Sequence, residues 1–283
     1  MKNYLAVLIL FFFLSAEAKK KPVEIKPSQQ FLVLTIPDNG SRPGMFSIFR
    51  MVLGFFEYYE QNFWGGMQID FGERGIYYDP SMGPNWWEYY FEPIEEGGIQ
   101  GKKIKILSYI LQEKFFEIGE RLPRKRAFGY LSKYVKIKPE IQKEVEEFRE
   151  REFKEDFVIG VHYRGTDKKI EKKRVAYERI YKEILSIQRK EPNIKIFVAT
   201  DEQAFVDDIR EHFKGRVIFT NAYRSSDGAP VHLDTSSPYL RGKEAIIDCL
   251  LLSQTNILIR TPSYLSLFST FFNPELPVIL LSE

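Results

Sequence analysis

Cysteine is nearly absent from this chain: Cys249 is the single one in 283 residues. One thiol closes no internal disulfide, and its place in the apolar run AIIDCLLL makes it a packing residue. Histidine is almost as scarce. His162, His212 and His232 stand far from one another and from Cys249, so no ligand spacing for a structural zinc site exists. Charge of one sign is missing as well: 41 basic against 39 acidic residues leave a net +2. That balance gives no global field toward nucleic acid or an anionic membrane, so any anion site must be local. The chain has no GxxxxGK[ST] loop, no GxGxxG fingerprint and no GxSxG elbow, which argues against P-loop, dinucleotide and α/β-hydrolase chemistry. It also lacks the Asp-x-Asp pattern that holds a divalent cation against a sugar diphosphate, so a site built here is expected to bind no metal. The nearest acidic pair, Asp207 and Asp208, falls inside a helical pattern.

What is present is a chain that is 44% hydrophobic and 28% charged, enough to bury one large domain or two small ones. Residues 1–18, MKNYLAVLILFFFLSAEA, read as a signal peptide: Lys2, an apolar stretch, and Ala16-Glu17-Ala18 at the cleavage position. The apolar stretch is well short of the roughly 20 residues that span a bilayer, so membrane attachment is expected only if this signal is not cleaved. The expected location is therefore outside the cytosol, exported or in a secretory lumen.

From residue 155 onward two periodicities alternate. Residues 157–161, 194–199, 217–219, 257–259 and 278–281 are short β-branched or aromatic runs, and residues 175–189, 203–213, 243–252 and 264–272 carry apolar side chains at helical spacing. Strands alternating with helices predict an α/β fold with a parallel sheet buried on both faces. Before that, residues 31–36 predict a strand, 45–61 a helix, and 104–121 and 139–152 two further helices. The aromatic and glycine-rich zone 64–98 carries no clear period. A boundary near residue 150 divides an N-terminal domain, 29–150, from a C-terminal Rossmann-like domain, 151–283.

In open α/β sheets ligands bind beyond the carboxyl ends of the strands. Four predicted strand ends present polar residues there: His162, Arg164 and Asp167; Thr200 and Asp201; Asn221 and the loop to Arg241; Arg260, Thr261 and Ser263. A guanidinium fork with hydroxyls at a helix start suits a diphosphate. Each residue also has a plain reading. His162 fits an ordinary strand-end histidine equally well, Asp167 a cap or a partner of Lys168, and Thr200-Asp201 a helix N-cap. Asp248 is different, because a carboxylate inside AIIDCLLL requires a partner. Trp86, Trp87, Tyr89 and Tyr90 suit either a packed core or a stacking surface for a sugar, with the core favoured.

The segment IGVHYRGTDK resembles the H-x-R-R-T-D-K stretch of α-1,6- and nodulation fucosyltransferases, and more loosely the H-x-R motif of protein O-fucosyltransferases. IFVATDE, YLRG at 239–242 and DCLLLSQTNILIRTPS at 248–263 follow in the family's order over about 110 residues. The resemblance implies a GT-B fold, two Rossmann-like domains facing a cleft, with GDP-fucose as donor substrate and no cofactor. It implies that Arg164 binds the β-phosphate, that Thr261 and Ser263 contact the same diphosphate, and that His162 and Asp248 contact the guanine. Asp167 would orient Arg164, and Glu171, one position out of register with the family's glutamate, would be the base. The partners implied are a nucleotide sugar and a glycan or glycoprotein acceptor, and no nucleic acid; the activity implied is inverting, metal-independent transfer. Gly165 stands where the double-arginine segment has its second arginine, which moves the pattern toward the O-fucosyltransferases. The competing reading is a catalytically silent GDP-sugar-binding protein, or a transferase using another nucleotide sugar.

Overall fold

The computed structural model describes residues 30–36, 42–62, 64–94, 103–106, 109–165, 174–226 and 237–282. In chain order the elements are β1 (Gln30–Leu34), α1 (Met45–Gln61), β2 (Gly66–Ile69), β3 (Lys103–Ile106), α2 (Tyr109–Arg121), α3 (Arg124–Tyr134) and α4 (Pro139–Phe148). They continue with β4 (Phe157–Tyr163), α5 (Tyr177–Gln188), β5 (Ile194–Thr200), α6 (Gln203–His212), β6 (Val217–Ile218), α7 (Pro238–Ser253), β7 (Ile257–Arg260), α8 (Tyr264–Phe272) and β8 (Val278–Leu280). Two sheets result, one ordered β2-β1-β3 and one ordered β6-β5-β4-β7-β8, and every strand pair in both is parallel.

The strands expected after residue 155 all form: the continuous apolar runs of β4, β5 and β7 are buried in the middle of the sheet, while β6 and β8 are half-buried edges. Ile159, Val161 and Tyr163 of β4 pack with α5 and α6, whereas Val158 joins the larger cluster under α7 and α8. The five-stranded sheet has its reversal at β4: the chain builds outward through β5 and β6, then returns to the other side of β4 for β7 and β8. Such a switch point leaves a crevice where two loops part in opposite directions.

The N-terminal half departs from the sequence reading in three places. The helix expected over 104–121 begins in fact as β3, whose Lys-Ile-Lys-Ile alternation has the period of a strand, with Ile104 set opposite Phe31 of β1. A helix absent from the sequence reading, α3, buries Ala127, Tyr130, Leu131 and Tyr134, a helical spacing masked by its cationic outer face and Gly129. The zone without a period supplies β2 and a short 3₁₀ turn, Trp86–Tyr89. Buried Asn85 holds that zone together: its Oδ1 accepts from the amides of Phe71 (3.1 Å) and Trp87 (3.3 Å), and its Nδ2 donates to the Ile69 carbonyl (3.0 Å). Trp86, Trp87, Tyr89 and Tyr90 are all buried in the core, so the structure decides for packing over a sugar-stacking surface. Tyr90 reaches across to the C-terminal half, stacking on Tyr239 of α7 with 5.7 Å between ring centres and donating to the Tyr239 carbonyl at 3.0 Å.

α1 and α2 cross at two glycines, each set against the backbone of the other helix. A Cβ on Gly54 would lie 2.7 Å from the carbonyl carbon of Phe115, and one on Gly119 would lie 2.8 Å from that of Arg50. These are backbone atoms, which cannot step aside as a flexible side chain can.

Candidate functional site

The crevice at the switch point opens into a cavity of about 690 Å³ between the two sheets. Its floor is a row of aligned strand ends. In register, His162 of β4 lies between Ala199 of β5 and Arg260 of β7, and all three line the cavity. Parallel neighbours point the same way, so the histidine and the arginine stand side by side.

Arg164, two residues beyond His162, is the guanidinium at the rim. Its backbone amide donates to Thr261 Oγ1 at 3.0 Å, and its Nε lies 3.7 Å from Asp201 Oδ2. Asp201 Oδ1 also accepts from the Gly165 amide at 2.8 Å. Asp201 therefore braces the Arg164 loop, where the sequence also allowed a cap on α6; Glu202 immediately precedes that helix, and its start has no side-chain cap. Thr261 is buried and spends its hydroxyl tying the end of β7 to β4, and it is not among the residues that line the cavity.

Gly165 has a physical reason to be glycine. Arg174 donates to the Gly165 carbonyl at 2.8 Å and pairs with buried Glu202, which also accepts from Tyr177 at 3.1 Å. A Cβ at residue 165 would meet Glu202 Cδ at 2.8 Å and Arg174 Nη2 at 3.1 Å. The ion pair fills the space a second arginine side chain would need.

Two helices aim their N-termini at the cavity. Gly44 precedes α1 and Ser263 precedes α8, neither start carries a side-chain cap, and residues 42–47 and 262–265 all line the wall. Uncapped first-turn amides and the helix dipole make each end attractive to an anion. At α1 the Met45 amide is met by the phenol oxygen of Tyr77 at 2.7 Å. Burial pushes that phenol up to about 12, while the Met45 amide, Arg241 and Arg164 pull the other way.

The far wall is one face of α7, which presents Arg241, Glu244, Ala245 and Asp248. Burial raises the Asp248 carboxyl to about 6, against the opposing pull of a 2.8 Å hydrogen bond from Thr220 and the charge of Arg224. Burial also raises Glu244, one turn earlier. The sequence setting of the Asp248 carboxylate demanded a partner, and the Thr220 hydroxyl supplies part of it. The cavity thus holds donors for phosphate at one end and a carboxylate suited to paired N–H donors at the other.

Of the residues singled out in the sequence, His162, Arg164, Asp248 and Ser263 line one cavity, Thr200 and Asp201 join them, and Thr261 stands behind. Asp167 and Glu171 lie outside the described residues, as does the signal segment. Sequence reasoning missed Tyr77, which sits in the zone without a period, and Glu244, whose spacing of four from Asp248 on one helix was the available signal.

The fold is that of solved fucosyltransferases, and the family match places the chain in the GDP-fucose fucosyltransferase superfamily. The family model described as Nodulation protein Z (NodZ) matches residues 125–278, more than half of the chain, and the chain belongs to that family. Among solved structures, fucosyltransferase NodZ from Bradyrhizobium superposes with a TM-score of 0.57 at 16% identity, covering 89% of this chain and 96% of that one. NodZ α-1,6-fucosyltransferase soaked with GDP-fucose gives 0.55 at 16% identity, covering 87% and 94%. A mutant of Arabidopsis thaliana FUT1 in complex with GDP gives 0.50 at 10% identity, covering 93% and 72%. No curated protein matches the sequence.

Proposed function

We propose that this glycosyltransferase transfers fucose from GDP-fucose to a hydroxyl of a glycan or glycoprotein, with inversion and without a metal ion, across a GT-B cleft. In this reading residues 151–283 hold the donor and residues 29–150 face the acceptor. The observation that carries it is the single cavity in which Arg164, His162, two helix N-termini and Asp248 converge.

The nucleotide lies with its base toward α7. The N1–H and exocyclic amine of guanine are two adjacent donors, which one carboxylate accepts together; we assign that role to Asp248 on the α7 wall, and His162 on the floor to the base as well. The diphosphate then falls at Arg164 and the starts of α1 and α8, where Ser263 sits.

The bond that breaks joins C1 of the sugar to the β-phosphate oxygen, and its electron pair stays on the diphosphate. The bond that forms joins C1 to the acceptor oxygen, whose proton passes to a carboxylate, the role we assign to Glu171. Charge grows on the leaving phosphate as the bond stretches, so a fixed guanidinium and helix-end amides stabilise the transition state more than the ground state. Asp201 keeps Arg164 in place for this, and Asp167 is assigned the same duty. No step is drawn through a cation, in keeping with the missing Asp-x-Asp. The compartment is a secretory lumen or the exterior, on the strength of residues 1–18.

The test is calorimetric titration of GDP and GDP-fucose into the whole chain, followed by GDP release in the presence of candidate glycans. Binding with acceptor-dependent release is expected. No binding of either nucleotide would sink the reading, and binding without release on any glycan would leave a GDP-sugar-binding protein.

A further inference from the structure

Arg260 ends β7 in the middle of the five-stranded sheet, more than nine-tenths buried, with its side chain at the cavity. Its Nη2 donates to the Ser263 carbonyl at 3.2 Å, and its Nε, fully buried, has no hydrogen-bond partner. Among the described residues no carboxylate pairs with it. Burial and the neighbouring charge of Arg124 lower its pKa to about 10. A buried, unpaired guanidinium is costly to the folded chain and persists where something else repays it.

The surroundings define what could. Arg260 stands beside His162, at the uncapped start of α8, and across the wall from the start of α1. The helix starts there offer backbone donors; the acceptor that Arg260 meets is the Ser263 carbonyl, and the carboxylates lining the same cavity, Glu120, Asp201, Glu244 and Asp248, form no ion pair with it. On β4, by contrast, Arg164 is the one guanidinium, because residue 165 has no side chain.

We propose that Arg260 is a second diphosphate-binding guanidinium, closing on the phosphates from β7 as Arg164 does from β4. This rests on the GDP-fucose reading of the cavity and adds a residue to it. Nη2 keeps its bond to the Ser263 carbonyl, so the side chain is positioned before the ligand arrives, and the guanidinium lines the cavity with N–H donors that no protein group takes up.

The experiment titrates guanosine, GMP and GDP into the full chain as wild type, Arg260→Met and Arg260→Lys, beside a thermal melt of each without ligand. For Arg260→Met the expected result is a loss of GDP affinity on the order of 10-fold to 100-fold, with guanosine affinity held within about 2-fold. The unliganded variant should melt at or above the wild-type temperature, because an unpaired buried charge has been removed. Lysine should recover only part of the GDP affinity, since it lacks the fork. Equal losses for guanosine and GDP, or a lower melting point with GDP affinity unchanged, would mark a merely structural arginine and overturn the proposal. Should Arg260→Met fail to fold, Arg260→Lys is read in its place: weakened GDP with guanosine retained supports the proposal, and parity with wild type overturns it. If the wild type itself binds no GDP, the functional reading falls and takes this one with it; if it binds GDP and the variants match it, only the role of Arg260 falls.

Discussion

The two sheets reach the same cavity by opposite means. The five-stranded half brings charge: regular apolar strands end abruptly in His162, Arg164 and Arg260, and the loops they release are braced by Asp201 and Glu202. The three-stranded half brings shape. It packs Trp86, Trp87 and Phe49 into a ring cluster, crosses α1 on α2 at two glycines, and so delivers the first turn of α1 to the cavity wall. In one half the site is separable from the fold, and in the other the fold is the contribution.

That contrast is broken most directly at Arg164. Arg164→Ala should lower turnover of GDP-fucose by about 10² to 10³, because a guanidinium that meets developing charge is worth that much. Partly exposed at the rim of the cavity, it should leave the unfolding midpoint close to wild type. A variant that loses stability in step with activity would mean that charge and scaffold are not separable in this half. The opposite pattern is expected at the helix crossing. Gly119→Ala must push α1 and α2 apart by moving backbone, which should cost about 1 to 3 kcal/mol in urea unfolding. GDP affinity of the molecules that remain folded should change little, and a large specific loss of affinity would show that the start of α1 is positioned by this crossing alone.

Asp248 sharpens the comparison because its two roles have opposite signs. Its folded pKa, about 6, exceeds the ordinary carboxyl value of 3.8, so the folded state holds a proton that the unfolded state has released. Any stability from this is present below about pH 3.8 and is lost as pH rises through about 6. Asp248→Asn should therefore gain on the unliganded wild type as pH climbs through that window, by about 1 to 3 kcal/mol at most. Thr220, Arg224 and Glu244 face the same carboxyl, and the loss of its attraction to Arg224 trims the gain. Binding should go the other way. The ionised carboxylate accepts both guanine donors, so the variant should lose about 10-fold in preference for GDP over IDP, which lacks the exocyclic amine. Calorimetry at pH 8 decides it, and an unchanged preference would remove Asp248 from base recognition.

How far the sequence carried the reading follows the same division. β4, β5 and β7 were legible because a strand covered on both faces must be a continuous apolar run, and such runs end where charge begins. Residues that act at those ends were found for that reason, Arg164 and His162 among them. β3 was hidden because four residues of period two run into a helix whose own period overlaps it, and α3 because its outward arginines and Gly129 blur an apolar stripe that is nonetheless complete. The zone 64–94 is organised by Asn85 and by ring packing between distant residues, which no local period encodes. Asp201 could not be assigned correctly from its neighbours, since the choice between capping α6 and bracing Gly165 depends on a contact 36 residues away in sequence.

Tyr77 sits on the border between the halves and should give the smallest effect. It comes from the zone without a period, yet its oxygen meets the Met45 amide at the start of α1, inside the cavity. Held up to about 12 by burial, the phenol stays protonated across the working pH range and does for α1 what a serine cap would do. Tyr77→Phe leaves that amide without its partner, at a cost of about 0.5 to 1.5 kcal/mol in the unliganded chain. A diphosphate at the same helix start can take over the freed donor, so the deficit should shrink when unfolding is measured with saturating GDP. A deficit that instead widens with GDP would mean the phenol itself touches the nucleotide, and the N-terminal half would then contribute chemistry as well as shape.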